Sequence, residues 1–412
     1  MQQVANEHTL KHSRAFTALS ETLLPNRGDA PGRSLAIGAS AIMAWTMTTR
    51  RFPQQIRFCR SRDGTRIAYA TCGSGPPLVC AKNWVGHLER DWDSPIWRPW
   101  LALLASRHTL IRFDFRGCGL SDRERVAFSL DRYAEDLEAV ISATRLEQFA
   151  FVGTGSGAAL GMVFAARHPD RVHHLVLCGA QAQGRLARDG AAPAKIAEAE
   201  ARLKIIELGW VGEIPGYADF FASLHVPDAT AEQFRAYNDL IRLTTTPANA
   251  VALLRSFWQV DVDDIVPLVR CPALVLHARG DAVIPFEEGR RIAGLIPDAR
   301  FLPLASRNHV LLDSEPAWAA FAEALAEFVP AMTPQGSPGP IAGLTAREQD
   351  VMELVAQGLD NKSIGRQLGI SARTARNHVS TIFSKLGVNS RPQAIVLARE
   401  AGYGHRRRAD SA

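Results

Sequence analysis

The sequence predicts an α/β domain, a mainly parallel sheet with a helical cap, followed by a small all-α domain of four helices. Three observations carry this. Short apolar runs alternate with helix-patterned stretches from about residue 76 to 329, the pattern of a parallel sheet covered on both faces. The run between Ala180 and Val266 breaks the alternation with helices and no convincing strand. After "PAMTPQGSPGPIAG" (330–343), rich in proline and glycine, the pattern is purely helical.

In chain order, "IRFCRS" and "TRIAYATCG" flank Asp63-Gly64, a hairpin signal. Strands are then expected at "PPLVCA" (76–81), "TLIRFDF" (109–115), "FAFVG" (149–153), "HLVLCG" (174–179), "ALVLHA" (273–278) and "ARFLPL" (299–304). Helices are expected at 129–144 and 316–329, and within the cap, about 185–262, at 194–208 and 230–243. The α/β domain is expected to span 51–330 and the helical domain 344–404, joined by a linker at 331–343.

Residues 1–50 are expected to lie outside the fold, with Met43 or Met47 as an alternative start. The apolar run "SLAIGASAIMAWTM" (34–47) has 14 residues, short of the ~20 that span a bilayer, and lies far from Met1 for a signal peptide. No membrane association is expected. Six scattered cysteines, without ligand or disulfide spacing, point to reduced thiols in the cytoplasm and to no metal or other cofactor.

The net charge of +5 is unevenly placed: eleven Lys/Arg face six Asp/Glu from Ile341 onward, while the remainder is balanced. A basic end suits a polyanionic partner, although "HRRR" (405–408) alone supplies three of those charges.

Within the helical end, Thr345 and Glu348 form a capping-box pattern, Gly358 ends the first helix, and Asn361–Leu368 makes the second. Gly369-Ile370-Ser371 is a tight turn, and Ser371 caps the third helix. Ala375, Val379, Ile382 and Leu386 recur at helical spacing as its core face. The opposite face carries Arg373, Arg376, Asn377 and Ser380, chemistry suited to base edges in the major groove, while Lys362, Thr374 and Lys385 suit phosphate oxygens. A helical protein-interaction module would share the bare helix pattern. The segment "LTAREQDVMELVAQGLDNKSIGRQLGISARTARNHVSTIFSKLGVNSR" closely resembles the LuxR-type helix-turn-helix of bacterial transcription regulators, differing at Gly365 and Ala375, where Ala and Val are usual. The resemblance implies double-stranded operator DNA as partner, read by a homodimer on two half-sites.

"RFDFRGCGLSD" (112–122), "FVGTGSGAALG" (151–161) and "LVLHARGDAVIP" (274–285) together resemble the α/β-hydrolase fold, and "NWVGHLERDWDSPIW" (83–97) resembles hydrolase-like domains fused to LuxR-type regulators. The resemblance implies an acid at Asp281 and a base at His309. Oxyanion donors would be the N–H groups of Trp84 and of the residue after the nucleophile, Ser156. The nucleophile slot falls on Gly155: strand-Gly-x-nucleophile counts from Gly153, and Pro169 follows Gly155 by fourteen residues. Ser156 remains a fallback nucleophile. Asp114, Arg116 and Ser121 read as structural. Trp84, Trp92, Trp97 and Trp100 fall near the expected site mouth and Trp210 and Trp258 in the cap, as pocket walls or as core.

A hydrolase site without its attacking oxygen still keeps its donors and pocket. The expected function is therefore a transcription regulator that senses a small molecule, apolar with a carbonyl or carboxyl group, held near Asn83, Trp84, Gly155, Ser156 and His309. The alternative is an active esterase or amidase using Ser156 or a His309-activated water.

Overall fold

The computed structural model describes residues 52–188, 192–210, 215–329, 344–386, 388, 390–400 and 403–404. The expected N-terminal extension and the expected linker lie outside the described residues.

An eight-stranded sheet organises the first domain: β1 (Gln54–Arg60), β2 (Arg66–Cys72), β3 (Pro77–Ala81), β4 (Thr109–Phe113), β5 (Phe149–Thr154), β6 (Val172–Cys178), β7 (Ala273–Ala278) and β8 (Ala299–Leu304), in the order β1-β2-β4-β3-β5-β6-β7-β8. β1 and β2 form the hairpin signalled by Asp63-Gly64, with Ile56 opposite Ala70, and β2 joins β4 antiparallel. All remaining pairs are parallel. β5 and β7 are buried along their whole length, as expected of strands covered on both faces.

Helices α1 (Trp97–Ala105), α2 (Leu130–Thr144) and α3 (Ser156–Arg167) connect the first strands. In α2, Ser129 caps the N-terminus by accepting the N–H of Arg132, and Tyr133, Leu137, Val140 and Ile141 face the core. α3 follows β5 directly and is buried from Ser156 to Ala165, so its sequence is apolar on every face. Between β6 and β7 run α4 (Arg185–Arg188), α5 (Pro193–Gly209), α6 (Pro215–His225), α7 (Ala231–Thr244) and α8 (Pro247–Trp258). A single bridge, Gln183 to Asp261, closes the stem of this helical stretch. α9 (Phe286–Leu295) and α10 (Pro316–Phe328) complete the domain.

The order of strands reverses beside β3, and ligands in open α/β sheets bind where carboxyl ends of strands splay at such a point. Behind it, Arg116 is fully buried between Asp136 (2.7 Å) and Asp63 (2.8 Å). Asp114 accepts the N–H groups of Leu88 and Leu120, and Ser121 donates to the Asp114 carbonyl. These three residues hold the loop after β4. Trp92, Trp97 and Trp100 are core side chains, 1–3% exposed, so of the tryptophans placed at the site mouth by sequence only Trp84 stays there.

The helical domain has α11 (Ala346–Ala356), α12 (Asn361–Leu368), α13 (Ala372–Leu386) and α14 (Arg391–Glu400). The Thr345–Glu348 capping box is formed in both directions. Its core contains Val351, Val355 and Ile364 together with the expected Ala375, Val379, Ile382 and Leu386. Gly365, one of the two departures from the family pattern, has the Ile370 carbonyl only 2.8 Å from where a Cβ would stand. Glycine there lets α12 sit closer to the turn. Among the described residues no helix is long and apolar enough to cross a membrane.

Candidate functional site

The turn from β5 into α3 is the centre of the site. Gly155 there has φ +53° and ψ −118°, a conformation that L side chains occupy only under strain. The flanking glycines have steric reasons to be small. A Cβ at Gly153 would come within 2.6 Å of the Ala158 backbone, and one at Gly157 within 1.8 Å of the Ala81 carbonyl. A Cβ at Gly155 would instead point at the His309 Nε2, 3.0 Å away, with the Asn83 Cβ at 3.3 Å. The residue aimed at the histidine is therefore residue 155, and it has no side chain.

His309 follows β8 and Asp281 follows β7, and the His309 Nδ1 lies 2.7 Å from the Asp281 Oδ2. The other carboxylate oxygen accepts the N–H groups of Val283 (2.8 Å) and Ile284 (3.0 Å). Burial opposes ionisation of Asp281, but His309 and the Ile284 N–H outweigh it and hold its pKa below the ordinary value. An ionised, fully buried acid fixes the histidine ring with Nε2 facing the Gly155 tip. Gly179, ending β6, leaves room for the ring: a Cβ there would stand 3.0 Å from the His309 Cε1. His277 packs behind the pair, its Nε2 3.6 Å from the Asp281 Oδ2.

Ser156 lies elsewhere. Its Oγ accepts the Trp84 N–H at 3.2 Å, and among the described residues the His309 ring hydrogen-bonds to Asp281 alone. The Trp84 N–H, expected as an oxyanion donor, is thus taken by the neighbouring hydroxyl. A first helical turn leaves the Ser156 N–H without an intrahelical acceptor. Asn83 donates its N–H to the Thr154 Oγ1 (2.9 Å), while both polar atoms of its side chain are buried without a hydrogen bond.

A half-open cavity of about 80 Å³ lies over these groups. Asn83, Trp84, Gly155, Ser156 and His309 all line it, so the ligand-binding residues expected from sequence come together. The rest of its wall comes from α4, α5, α6 and α8, from Gln181 and from residues 282–284 after β7, and is largely apolar, with Phe221, Phe257 and Trp258 prominent. Trp210 stacks on Trp84 at 5.5 Å rather than lining the cavity.

Sequence reasoning missed His225, which descends from α6. Its ring stands 5.4 Å from that of His309, edge to face, and its Nδ1 is 2.9 Å from the Phe221 carbonyl. Burial first, and then the adjacent His309, push its pKa down to about 3, against the pull of the Phe221 carbonyl and Asp281. A lowered histidine pKa stabilises the fold fully above the unfolded value of about 6.5, and that contribution is lost as pH falls toward about 3. His225→Phe should accordingly lose less stability than the wild type between pH 7.5 and 5. The difference in slope approaches about 1.4 kcal/mol per pH unit below pH 6.5, read from urea unfolding at each pH.

In the helical domain Arg373, Thr374, Arg376, Asn377 and Ser380 are exposed on α13, and Lys362 is exposed on α12. Lys385 is engaged: its Nζ binds the Glu348 Oε2 at 2.7 Å, tying α13 to the capping box of α11. That contact gives Lys385 a structural task that its place in the sequence did not reveal. Among the described residues no group of three His, Cys, Asp or Glu side chains is gathered for a metal ion.

The sheet order and the strand-end site define a hydrolase-like domain, and the helical end defines a DNA-reading one. The chain belongs to the alpha/beta hydrolase fold family, whose pattern matches residues 76–316, and it carries at residues 342–398 a domain of the bacterial regulatory proteins, luxR family. It is 25% identical to a non-heme haloperoxidase of Rhodococcus erythropolis over 61% of this chain and 92% of that one. It is 44% identical to the transcriptional regulatory protein DegU of Brevibacillus brevis over 16% of this chain and 27% of that one. The solved esterase RhEst1 from Rhodococcus sp. superposes with a TM-score of 0.54 at 25% identity, covering 66% of this chain and 98% of that one. A regulator's helix-turn-helix is fused to a hydrolase-fold domain.

Proposed function

We propose that the chain is a DNA-binding transcription regulator whose hydrolase-fold domain binds a small molecule without hydrolysing it. One observation carries the second half: the position aimed at His309 is Gly155, so the acid–base pair has no nucleophile to activate. Loss of the attacking oxygen in a serine hydrolase lowers kcat by about 10⁶-fold, while binding groups survive. The effector is a small, mostly apolar compound with a carbonyl or carboxyl group, held in the cavity that Asn83, Trp84, Gly155, Ser156 and His309 help to line. Its differential affinity for two arrangements of the domains would shift DNA occupancy. The chain would act in the cytoplasm as a homodimer on paired half-sites, with Arg373, Arg376, Asn377 and Ser380 reading bases and Lys362 and Thr374 holding phosphates.

The intact Asp281–His309 pair favours one competing reading, in which His309 activates a water or Ser156 attacks. Ser156→Ala tests the Ser156 route, and His309→Ala tests the water route. The Ser156 Oγ only accepts the Trp84 N–H, so the first substitution should leave hydrolysis of 4-nitrophenyl acetate at the wild-type level. It should also free a donor in the cavity. A fall in turnover by two or more powers of ten would make Ser156 the nucleophile instead.

A further inference from the structure

Two arginines of the cap line the cavity, and neither belongs to the hydrolytic machinery. Arg185 on α4 and Arg202 on α5 both reach it, and no carboxylate is among the described residues that line it. They share one acid, Glu198, which sits behind them on α5. Its Oε1 alone receives Arg185 Nη1 at 3.2 Å, Arg202 Nη2 at 2.8 Å and Arg202 Nε at 3.1 Å. Lys195 adds a third cation, 3.5 Å from the Oε2. The Arg202 Nη1 takes no part in that pair. The Arg185 guanidinium lies 5.9 Å over the ring of Trp258, which lines the same cavity.

The remaining walls are mostly aromatic and aliphatic, with Gln181 and His225 among them, and at the other end stands a buried amide. Asn83 is 5% exposed, and its side-chain amide faces the Tyr237 hydroxyl without Oδ1 or Nδ2 reaching good hydrogen-bond geometry. Buried amides left unpaired are destabilising unless something supplies the missing bonds. The cavity thus has a cationic end on the cap, an apolar middle and a poorly paired amide beside the Gly155 turn. A neutral apolar compound would satisfy only the middle. A carboxylate between two guanidinium forks is the anion that planar N–H donors hold best, through parallel charge-assisted bonds.

Building on the sensing role proposed above, we infer that the effector is a carboxylate anion. Its head group bridges Arg185 and Arg202, and its body lies along Trp258 and Phe257 toward Asn83. The carboxylate competes with Glu198 for the same guanidinium groups. Binding therefore rearranges the contact that fastens α4 to α5, which makes the cap respond to the ligand's charge.

The test uses the full chain with hexanoate and phenylacetate, each against its primary amide, and follows tryptophan fluorescence or calorimetric heat. Each acid is expected to bind about tenfold or more tightly than its amide, the scale of a charge-assisted bond. Arg202→Gln should remove that preference, and Arg202→Lys, which keeps the charge but not the fork, should retain part of it. Glu198→Gln, which removes the competing acid, should tighten the acids and leave the amides unchanged. Equal binding of acids and amides would overturn the anion assignment while leaving a neutral-ligand sensor intact. Failure of both acids to bind, or indifference to Arg202→Gln in a variant with wild-type circular dichroism, would also overturn it. Failure of the sensing role would instead register as wild-type ester turnover that depends on His309.

Discussion

Gly155→Ser is expected to give the hydrolase-fold domain esterase activity. The substitution places an oxygen at a position whose Cβ would point at the His309 Nε2, with Asp281 already 2.7 Å from the other ring nitrogen. A serine nucleophile with its base is worth about 10⁶-fold in kcat when removed from an evolved enzyme. A grafted one lacks refined alignment, so about 10²- to 10³-fold over the wild-type rate on 4-nitrophenyl acetate is the expected gain. Two structural terms limit it. The new Cβ would stand 3.0 Å from the Nε2, so the ring must withdraw by a few tenths of an ångström. A non-glycine residue at φ +53° also carries strain of about 1–3 kcal/mol, and the variant should unfold at lower urea. Adding His309→Ala to Gly155→Ser should abolish the gained activity. If the double variant hydrolyses as fast as the single one, the geometry ascribed to the Gly155 tip is wrong.

The second large effect concerns DNA. Arg376 lies exposed on α13, one helical turn from Arg373 and Ser380. If it forks onto a base, Arg376→Ala should lower affinity for the preferred site by about 1–3 kcal/mol and relax discrimination at one base position. Lys362→Ala should behave differently, weakening all sequences about equally and reducing the slope of log affinity against log salt by about one. The measurement is a binding titration of the full chain on its own upstream region and on scrambled DNA at several salt concentrations. Equal losses on both DNAs for Arg376→Ala would move that residue from base reading to backbone contact.

Much of the fold was legible because its signals are local. Asp63-Gly64 dictates a hairpin whatever surrounds it, and strands buried on both faces read as short apolar runs such as "ALVLHA". The register that singles out Gly155 was legible too, through the resemblance to the α/β-hydrolase pattern, whose spacings on both flanks count to that residue. The contacts that complete the site were not. His225 reaches His309 from a cap helix 84 residues upstream in the chain, and no spacing rule joins them. The Ser156 hydroxyl takes the Trp84 N–H because two strand ends lie side by side, a consequence of the β3–β5 pairing. Arg185 and Arg202 look like ordinary solvated helix residues until the cap is folded over the cavity. Trp92, Trp97 and Trp100 cluster in sequence near the site, yet the helix that carries two of them turns them into the core.

Binding without turnover is the role proposed for the hydrolase-fold domain. Release of 4-nitrophenolate from 4-nitrophenyl acetate by the purified wild-type chain, measured beside His309→Ala, decides whether it holds. The two rates should coincide, because a base without a nucleophile has nothing to activate. A wild-type rate that exceeds the His309→Ala rate by about tenfold or more, with several turnovers per chain, would contradict it.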